Sequence, residues 1–209
     1  MFEALPEPDP QAPPAEAVVG VSYQPGRRHL TERQAEVVER LLTAAAAEGQ
    51  ANPYADISVR SIAKRAGVAA ATAYTYFSSK DHLLSEVMWR RLDDSPYVAD
   101  LDRPLADRVV GAVASMSFGA TEDPAVVRAG TIALLGDGPD VLAVRARIGR
   151  EIAHRLAAAL GPDFDAKVLR VLQITYTGAI LSAGLGHLEF DALPHLMAEA
   201  TALLTGGGA

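Results

Sequence analysis

The chain has 209 residues, 49% of them apolar, a net charge of −7 and no cysteine. That length and composition suffice for one or two domains with a sizeable core. The missing cysteine excludes a disulfide framework, a thiol nucleophile and thiolate metal sites.

Met1 to about Gly26, with PEPDPQAPP at its centre, has no helical or strand period and is too rich in Pro and polar residues to bury much surface, so residues 1–26 read as a disordered extension. It has neither the positive start nor the apolar run of a secretory signal, which predicts cytoplasmic residence. Arg27 and Arg28 come next, and two readings stay open for them: an arm that enters a minor groove, or a solvated helix flank. Thr31-Glu32-Arg33-Gln34 then has the form of a capping box, opening a helix with Val37, Val38, Leu41, Leu42 and Ala45 on one stripe and Gly49 as its expected end.

After the loop through Asn52-Pro53-Tyr54, Ser58 is placed to cap a short helix. Its Val59, Ile62, Ala63 and Ala66 share one face, and Arg60, Lys64 and Arg65 share the other. Gly67 supplies a permissive backbone at the end of that helix. The next pattern, Ala70 to Phe77, turns Ala73 and Phe77 inward and leaves Thr72, Tyr74, Thr75 and Tyr76 for the outer surface. Two short helices joined by a turn of this length predict a DNA-binding helix-turn-helix. From Lys80 to about Leu92 a further helix carries Leu83, Leu84, Val87, Met88 and Leu92 inward and serves as a connecting rod.

Beyond Ser95-Pro96 the chain shows helical patterns over Arg103–Phe118, Pro124–Leu135, Pro139–Leu160, Phe164 to about Gly186 and Asp191–Leu204, with short connections, as in a helical bundle. The expectation is therefore an all-α protein. Val171 to Leu188 contains no charged residue, but Thr, Tyr, Ser and Gly dilute it, and Lys167 and Arg170 start the same helix. A doubly buried helix fits better than a membrane span. Gly178, Ala179, Ser182 and Ala183 give it a small-residue face.

The charge is divided along these segments. Up to Pro25 there are four acids and no Lys or Arg; from Gly26 to Leu92 there are ten basic and seven acidic residues; from Asp93 onward there are nine and fifteen. Only the helix-turn-helix segment has a positive balance, as phosphate attraction requires.

Gly67-Val68 after Ile62-Ala63, then Thr72-Ala73-Tyr74-Thr75-Tyr76-Phe77, then Ser79-Lys80-Asp81 and Leu83-Leu84, resemble the N-terminal domain of the TetR family of bacterial transcriptional regulators. The match runs over roughly Thr31 to Leu92. By position, the resemblance implies phosphate or base contacts from Ser58 and Arg60, base-facing positions at Ala70, Ala71, Thr72 and Thr75, and backbone contacts from Tyr74, Tyr76 and Lys80. Their chemistry agrees: hydroxyls and an ammonium suit phosphate oxygens, and threonine offers a base edge both a hydroxyl and a methyl. Two departures stand out. Ala69 replaces the family's usual Ser or Thr N-cap, and Ala73 replaces a larger Leu or Ile. With three alanines in a row, direct readout leans on Arg60, Thr72, Thr75 and thymine-methyl contacts, and DNA shape supplies some of the rest.

The resemblance further implies a homodimer joined through the last two helices of each subunit, which also fits two reading heads about 34 to 36 Å apart. It divides the chain into residues 27–92, the helix-turn-helix domain with its connecting helix, and 93–209, a ligand-binding and dimerisation domain. An unknown small-molecule effector would occupy the latter, with Trp89, Tyr97, Met116, Phe118, Thr175 and Tyr176 as candidate lining. Met88 and His187 are further candidates, and plain core is the alternative for each.

The five histidines show no ligand spacing, so neither a metal nor another cofactor is expected. Arg145, Arg147, Arg150 and Arg155 with Glu151 read as a solvated helix face by default. No nucleophile elbow, phosphate loop or dinucleotide fingerprint suggests an enzyme. The function implied is a sequence-specific regulator on an operator of double-stranded DNA, a repressor released by its effector. The alternative is a helical ligand- or protein-binding module on the same fold that has lost DNA recognition.

Overall fold

The computed structural model describes residues 31–117 and 122–206. The expected extension over 1–26, Arg27, Arg28 and Phe118 lie outside the described residues. Among the described residues the structure is all-α, with nine α-helices and two 3₁₀ turns.

Helix α1, Glu32–Ala51, begins with the expected capping box: Gln34 N–H donates to Thr31 Oγ1 at 3.4 Å, and Thr31 N–H donates to Gln34 Oε1 at 2.9 Å. Gly49 does not end the helix. It is buried, and a Cβ there would meet Val126 Cα at 3.5 Å, so this glycine lets α1 run close against a later helix. A terminal glycine and an interhelical one look alike in a sequence, because both meanings follow from the missing side chain.

A 3₁₀ turn, Tyr54–Asp56, leads to α2, Val59–Arg65, and then to α3, Ala70–Tyr76, and α4, Lys80–Asp93. The apolar faces expected of these helices are the buried ones: Val59, Ile62 and Ala63 of α2, Ala73 of α3 with Phe77 just after it, and Leu83, Leu84, Val87, Met88 and Leu92 of α4. Helices α5, Leu105–Ser115, α6, Pro124–Ala133, α7, Pro139–Leu160, α8, Ala166–Gly184, and α9, Leu193–Thr205, complete the fold. Their order matches the sequence patterns; α5, α8 and α9 each begin two residues later than expected, α6 and α8 end two residues earlier, and α5 ends at Ser115.

Helix α4 is where the two ends of the fold meet, packing on α1, α6 and α7. Met88, Trp89 and Leu92 from its C-terminal half enter a core with Val109 and Val113 of α5, Ile148 and Leu156 of α7, Leu172 and Tyr176 of α8, and Met197 of α9. Close approach is built in. A Cβ on Gly130 of α6 would fall 2.3 Å from Met88 Cγ, so the methionine occupies the space a larger residue would need. No described helix is long and apolar enough to cross a membrane, and α8 has Leu172, Tyr176, Ala179 and Ala183 on its buried side.

Candidate nucleic-acid interface

The short helix α2 is closed at both ends by its own sequence. Ser61 N–H donates to Ser58 Oγ at 3.0 Å and Ser58 N–H donates to Ser61 Oγ at 3.1 Å, which satisfies first-turn donors reciprocally. At the other end Gly67 adopts φ +67°, Val68 N–H donates to Ala63 O at 3.0 Å, and Gly67 N–H donates to Lys64 O at 3.2 Å. That is a Schellman closure, in which glycine takes the left-handed position. It sets the direction in which the chain enters α3.

Helix α3 lacks such closure at its start: Ala69 makes no side-chain cap bond. Its pose depends on the buried Ala73 and Phe77, and on what grips its far end. Phe77 meets the His82 ring edge-on, with centroids 5.3 Å apart. Arg65 donates to the buried Glu48 at 2.6 Å, tying α2 back to α1.

The residues expected to read DNA are brought to one region by these constraints. Ser58, Arg60, Ala71, Tyr74 and Thr75 are exposed, Tyr74 with half its surface (51%) free; Ala70, Thr72 and Tyr76 are partly covered. Ser58 Oγ accepts a bond, so its own hydroxyl hydrogen is left for an external acceptor. Thr75 Oγ1 donates to Ala71 O at 3.1 Å, which turns the methyl and the oxygen lone pairs away from its own helix. Lys64, exposed and one turn beyond Arg60, adds a cation that the expected contact set leaves out. Its signal was the i, i+4 spacing.

Lys80 is placed differently from a free phosphate grip. Its ammonium donates to Tyr54 O at 2.8 Å and stands 4.0 Å over the Tyr54 ring. Tyr54 in turn donates its hydroxyl to Asp81, and partial burial with that bond pushes its pKa up to about 12. Lys80 therefore pins the loop before α2 to the start of α4, with N–H capacity left over for an anion. Tyr54 and Asp81 were not legible as site residues, since nothing local marks a pair 27 positions apart.

The expected effector residues divide. Trp89, Met116 and Tyr176 are buried in the C-terminal core, and Tyr176 donates its hydroxyl to Met116 O at 2.8 Å. Desolvation raises the pKa of that hydroxyl far above the usual tyrosine range. Tyr97 packs at the edge of this core and donates to Arg108 O at 2.8 Å, whereas Thr175 is partly exposed and donates to Val171 O at 2.9 Å. Met88 is buried and His187 is exposed. A separate cavity of about 360 Å³ opens between the end of α1 and α6, lined by Gln50, Tyr54, Arg128 and Ile132 among others, and by none of the expected effector residues.

The arginine run on α7 is not a uniformly solvated face. Arg145 and Arg150 are exposed, but Arg147 donates to the buried Glu86 at 2.5 Å with its guanidinium 4.4 Å from the Trp89 ring. Arg155 is itself buried. Periodicity could not separate these four, because guanidiniums that cap buried carbonyls have the same spacing as solvated ones.

A capped α2, a glycine-set turn and an α3 with polar residues outward form the head of a helix-turn-helix DNA-binding regulator. Comparison with known proteins agrees. Residues 41–87 match the family model described as bacterial regulatory proteins, tetR family. An HTH-type transcriptional regulator of Mycobacterium tuberculosis (strain H37Rv) is 37% identical over 177 residues, covering 84% of this chain and 83% of the relative. Among solved structures, a TetR transcriptional regulator from Rhodococcus sp. RHA1 superposes with a TM-score of 0.67 at 26% identity, covering 86% of this chain and all (100%) of that one. The full-length TylP regulator of Streptomyces fradiae gives a TM-score of 0.53 at 25% identity, over 82% of this chain and 87% of that one. The chain belongs to the TetR family of helix-turn-helix transcriptional regulators, DNA-binding proteins rather than enzymes.

Proposed function

We propose that the protein is a homodimeric repressor that releases its operator when a small molecule binds the C-terminal domain. The observation that carries the DNA-reading part is the exposed group Ser58, Arg60, Tyr74 and Thr75 on elements whose opposite faces are buried. Ser58, Tyr74, Tyr76 and Lys80 hold the phosphate backbone, and Arg60, Ala70, Ala71, Thr72 and Thr75 face base edges. The reading head comprises residues 27–92 and the ligand-binding and dimerisation domain 93–209, with α4 contributing side chains to both.

Dimerisation is supported by the outer faces of α8 and α9. Val171 and Ile174 (69% exposed) on α8 and Leu185 just after it, with Leu196 and Leu203 (80% exposed) on α9, leave an apolar surface whose natural occupant is a second copy related by a twofold axis. The effector chamber is assigned to the C-terminal core around Trp89, Met116 and Tyr176, with Tyr97 and Thr175 at its margin; Phe118, the remaining candidate, lies outside the described residues. An effector that binds there favours a second arrangement of the heads, through a coupling of about 1 to 3 kcal/mol.

The test is fluorescence anisotropy at fixed physiological salt, using DNA from upstream of the coding region and an operator selected from random sequences. A preference of at least about a thousandfold over scrambled DNA is expected, and Tyr74→Ala should abolish it. Arg60→Ala should relax base preference, whereas Lys80→Ala should weaken all sequences alike and reduce the salt slope by about one. Equal, weak and salt-dependent binding to every probe would overturn the DNA-reading assignment and leave the binding-module alternative.

A further inference from the structure

Helix α7 reaches the end of the recognition helix directly. Asp140, in the first turn of α7, accepts the Ser78 hydroxyl at 2.6 Å, and Ser78 is the second residue after α3. The buried His82 ring lies against both, its Nδ1 3.4 Å from Ser78 Oγ. Its Nδ1 accepts the Ser78 backbone N–H at 3.3 Å, and Asp140 Oδ2 is 3.7 Å from the same nitrogen. An accepting Nδ1 puts the neutral ring's proton on Nε2, which faces Glu86 Oε1 at 3.8 Å. Glu86 is in turn held by Arg147, also from α7. The groups around His82 are thus Phe77 and Ser78 from the turn, Glu86 from α4, and Asp140 and Arg147 from α7.

We propose that Asp140 and His82 form a latch through which α7 sets the pose of the recognition helix, with Asp140 as the positioning residue. The proposal rests on the reading that α3 faces DNA, but the latch itself is a property of the free protein. The physical need for it is local. Helix α3 has seven residues, no side-chain cap at Ala69 and only Ala73 buried within it, and helices of that length do not hold themselves. Its N-terminal end is directed by Gly67, and its C-terminal end is directed by Phe77 and Ser78, both in contact with His82. Asp140 fixes Ser78 from the C-terminal half of the protein. A displacement of α7 therefore reaches the reading surface without passing along the length of α4.

The latch also has a chemical state. When Nδ1 is protonated it becomes a donor and can no longer accept the Ser78 N–H, while the charged ring is drawn to Asp140 and competes with the Ser78 hydroxyl for the same oxygen. Both effects loosen the grip on Ser78.

Hydrogen exchange of the full chain without DNA tests the latch, alongside affinity for the operator selected with wild type. Asp140→Ala should raise exchange of the amides from Ala73 to Ser78 about tenfold, as loss of a charge-assisted bond implies, and leave α8 unchanged. Asp140→Asn keeps an acceptor for Ser78 and should restore most of the protection. Specific affinity should fall about tenfold in Asp140→Ala at an unchanged salt slope, since no phosphate contact is lost. Ser78→Ala combined with Asp140→Ala should be no worse than either alone. Unchanged exchange over residues 73–78 in Asp140→Ala, or fully additive effects of the two substitutions, would overturn the latch. Failure of wild type to select any operator would overturn the DNA-reading assignment instead, and the exchange comparison would still decide the latch.

Discussion

Replacing Arg155 by methionine asks whether the α7 arginine run is surface decoration or structure. The residue is 2% exposed and its guanidinium donates to Leu92 O at 2.7 Å, Ser95 O at 2.6 Å, Ser115 O at 3.0 Å and Glu151 Oε1 at 2.7 Å. Leu92 lies in the last turn of α4 and Ser115 ends α5, so one cation reaches carbonyls at two helix C-termini, where the helix dipoles favour positive charge; Leu92 O also accepts Ser95 N–H at 3.2 Å, whereas Ser95 O and Ser115 O take their bonds from Arg155. Methionine fills much of the volume and removes every donor. A solvated arginine would be worth about 0.5 kcal/mol or less. A buried one whose loss strands several acceptors should cost about 3 to 5 kcal/mol. Urea denaturation followed by circular dichroism separates the two, with a midpoint shift at constant slope expected. In thermal terms the loss corresponds to roughly 2 to 4 °C per kcal/mol for a chain of this size. A destabilisation below about 1 kcal/mol would refute the clamp and return Arg155 to the solvated face.

Ala69→Ser supplies the missing cap of α3 on a backbone already extended there (φ −65°, ψ 141°), so stability should rise by about 1 kcal/mol; no gain in melting temperature would count against the reading of α3 as under-capped. Gly67→Ala meets no neighbour within 4 Å but must hold φ +67°, and should cost about 1 kcal/mol in the same denaturation assay, with Gly67→Asn costing less. Burial lowers the pKa of His82 more than Asp140 raises it, so between that lowered value and the ordinary one near 6.5 the unfolded chain binds more protons than the folded one. Stability should therefore fall as pH drops through the ordinary histidine range, and the fall should be smaller in His82→Asn. An identical pH profile in the two proteins would contradict this.

What the sequence made readable was local. The capping box at Thr31, the N-cap at Ser58, the glycine at 67 and the inward Ala73 and Phe77 are each decided within about four residues of themselves, and the structure has all of them. What stayed hidden acts across distance or through identical signatures. Gly49 has the look of a helix stop and is a helix crossing; Arg155 has the spacing of Arg150 and the opposite environment; Lys80 is a cation at a helix start whose partner, Tyr54, stands 26 residues earlier. Asp140 carries no motif at all, and only the packing of α7 on α4 brings it to Ser78.

These hidden contacts converge on α4, and together they restrict how it can move. Its start is fixed by Ser79 and by Lys80 on Tyr54, its middle by Glu86 on Arg147 and by Met88 filling the space above Gly130, and its end by Arg155 on Leu92 O and by Arg90 on Glu39 at 2.5 Å. With Asp140 on His82 as the third tie, α7 holds this helix at three levels, and motion of α4 against α7 would have to break each of them. A change in the C-terminal core is transmitted at lower cost if α4 and α7 shift as one body. Motion of that body relative to α1 must then deform contacts at its edges, of which Arg90 with Glu39 and Lys80 with Tyr54 are exposed enough to re-form in a second geometry. For the effector response proposed above, the two-state element would be the α4–α7 pair, with Asp140 and Ser78 as the point where its position is imposed on the recognition helix.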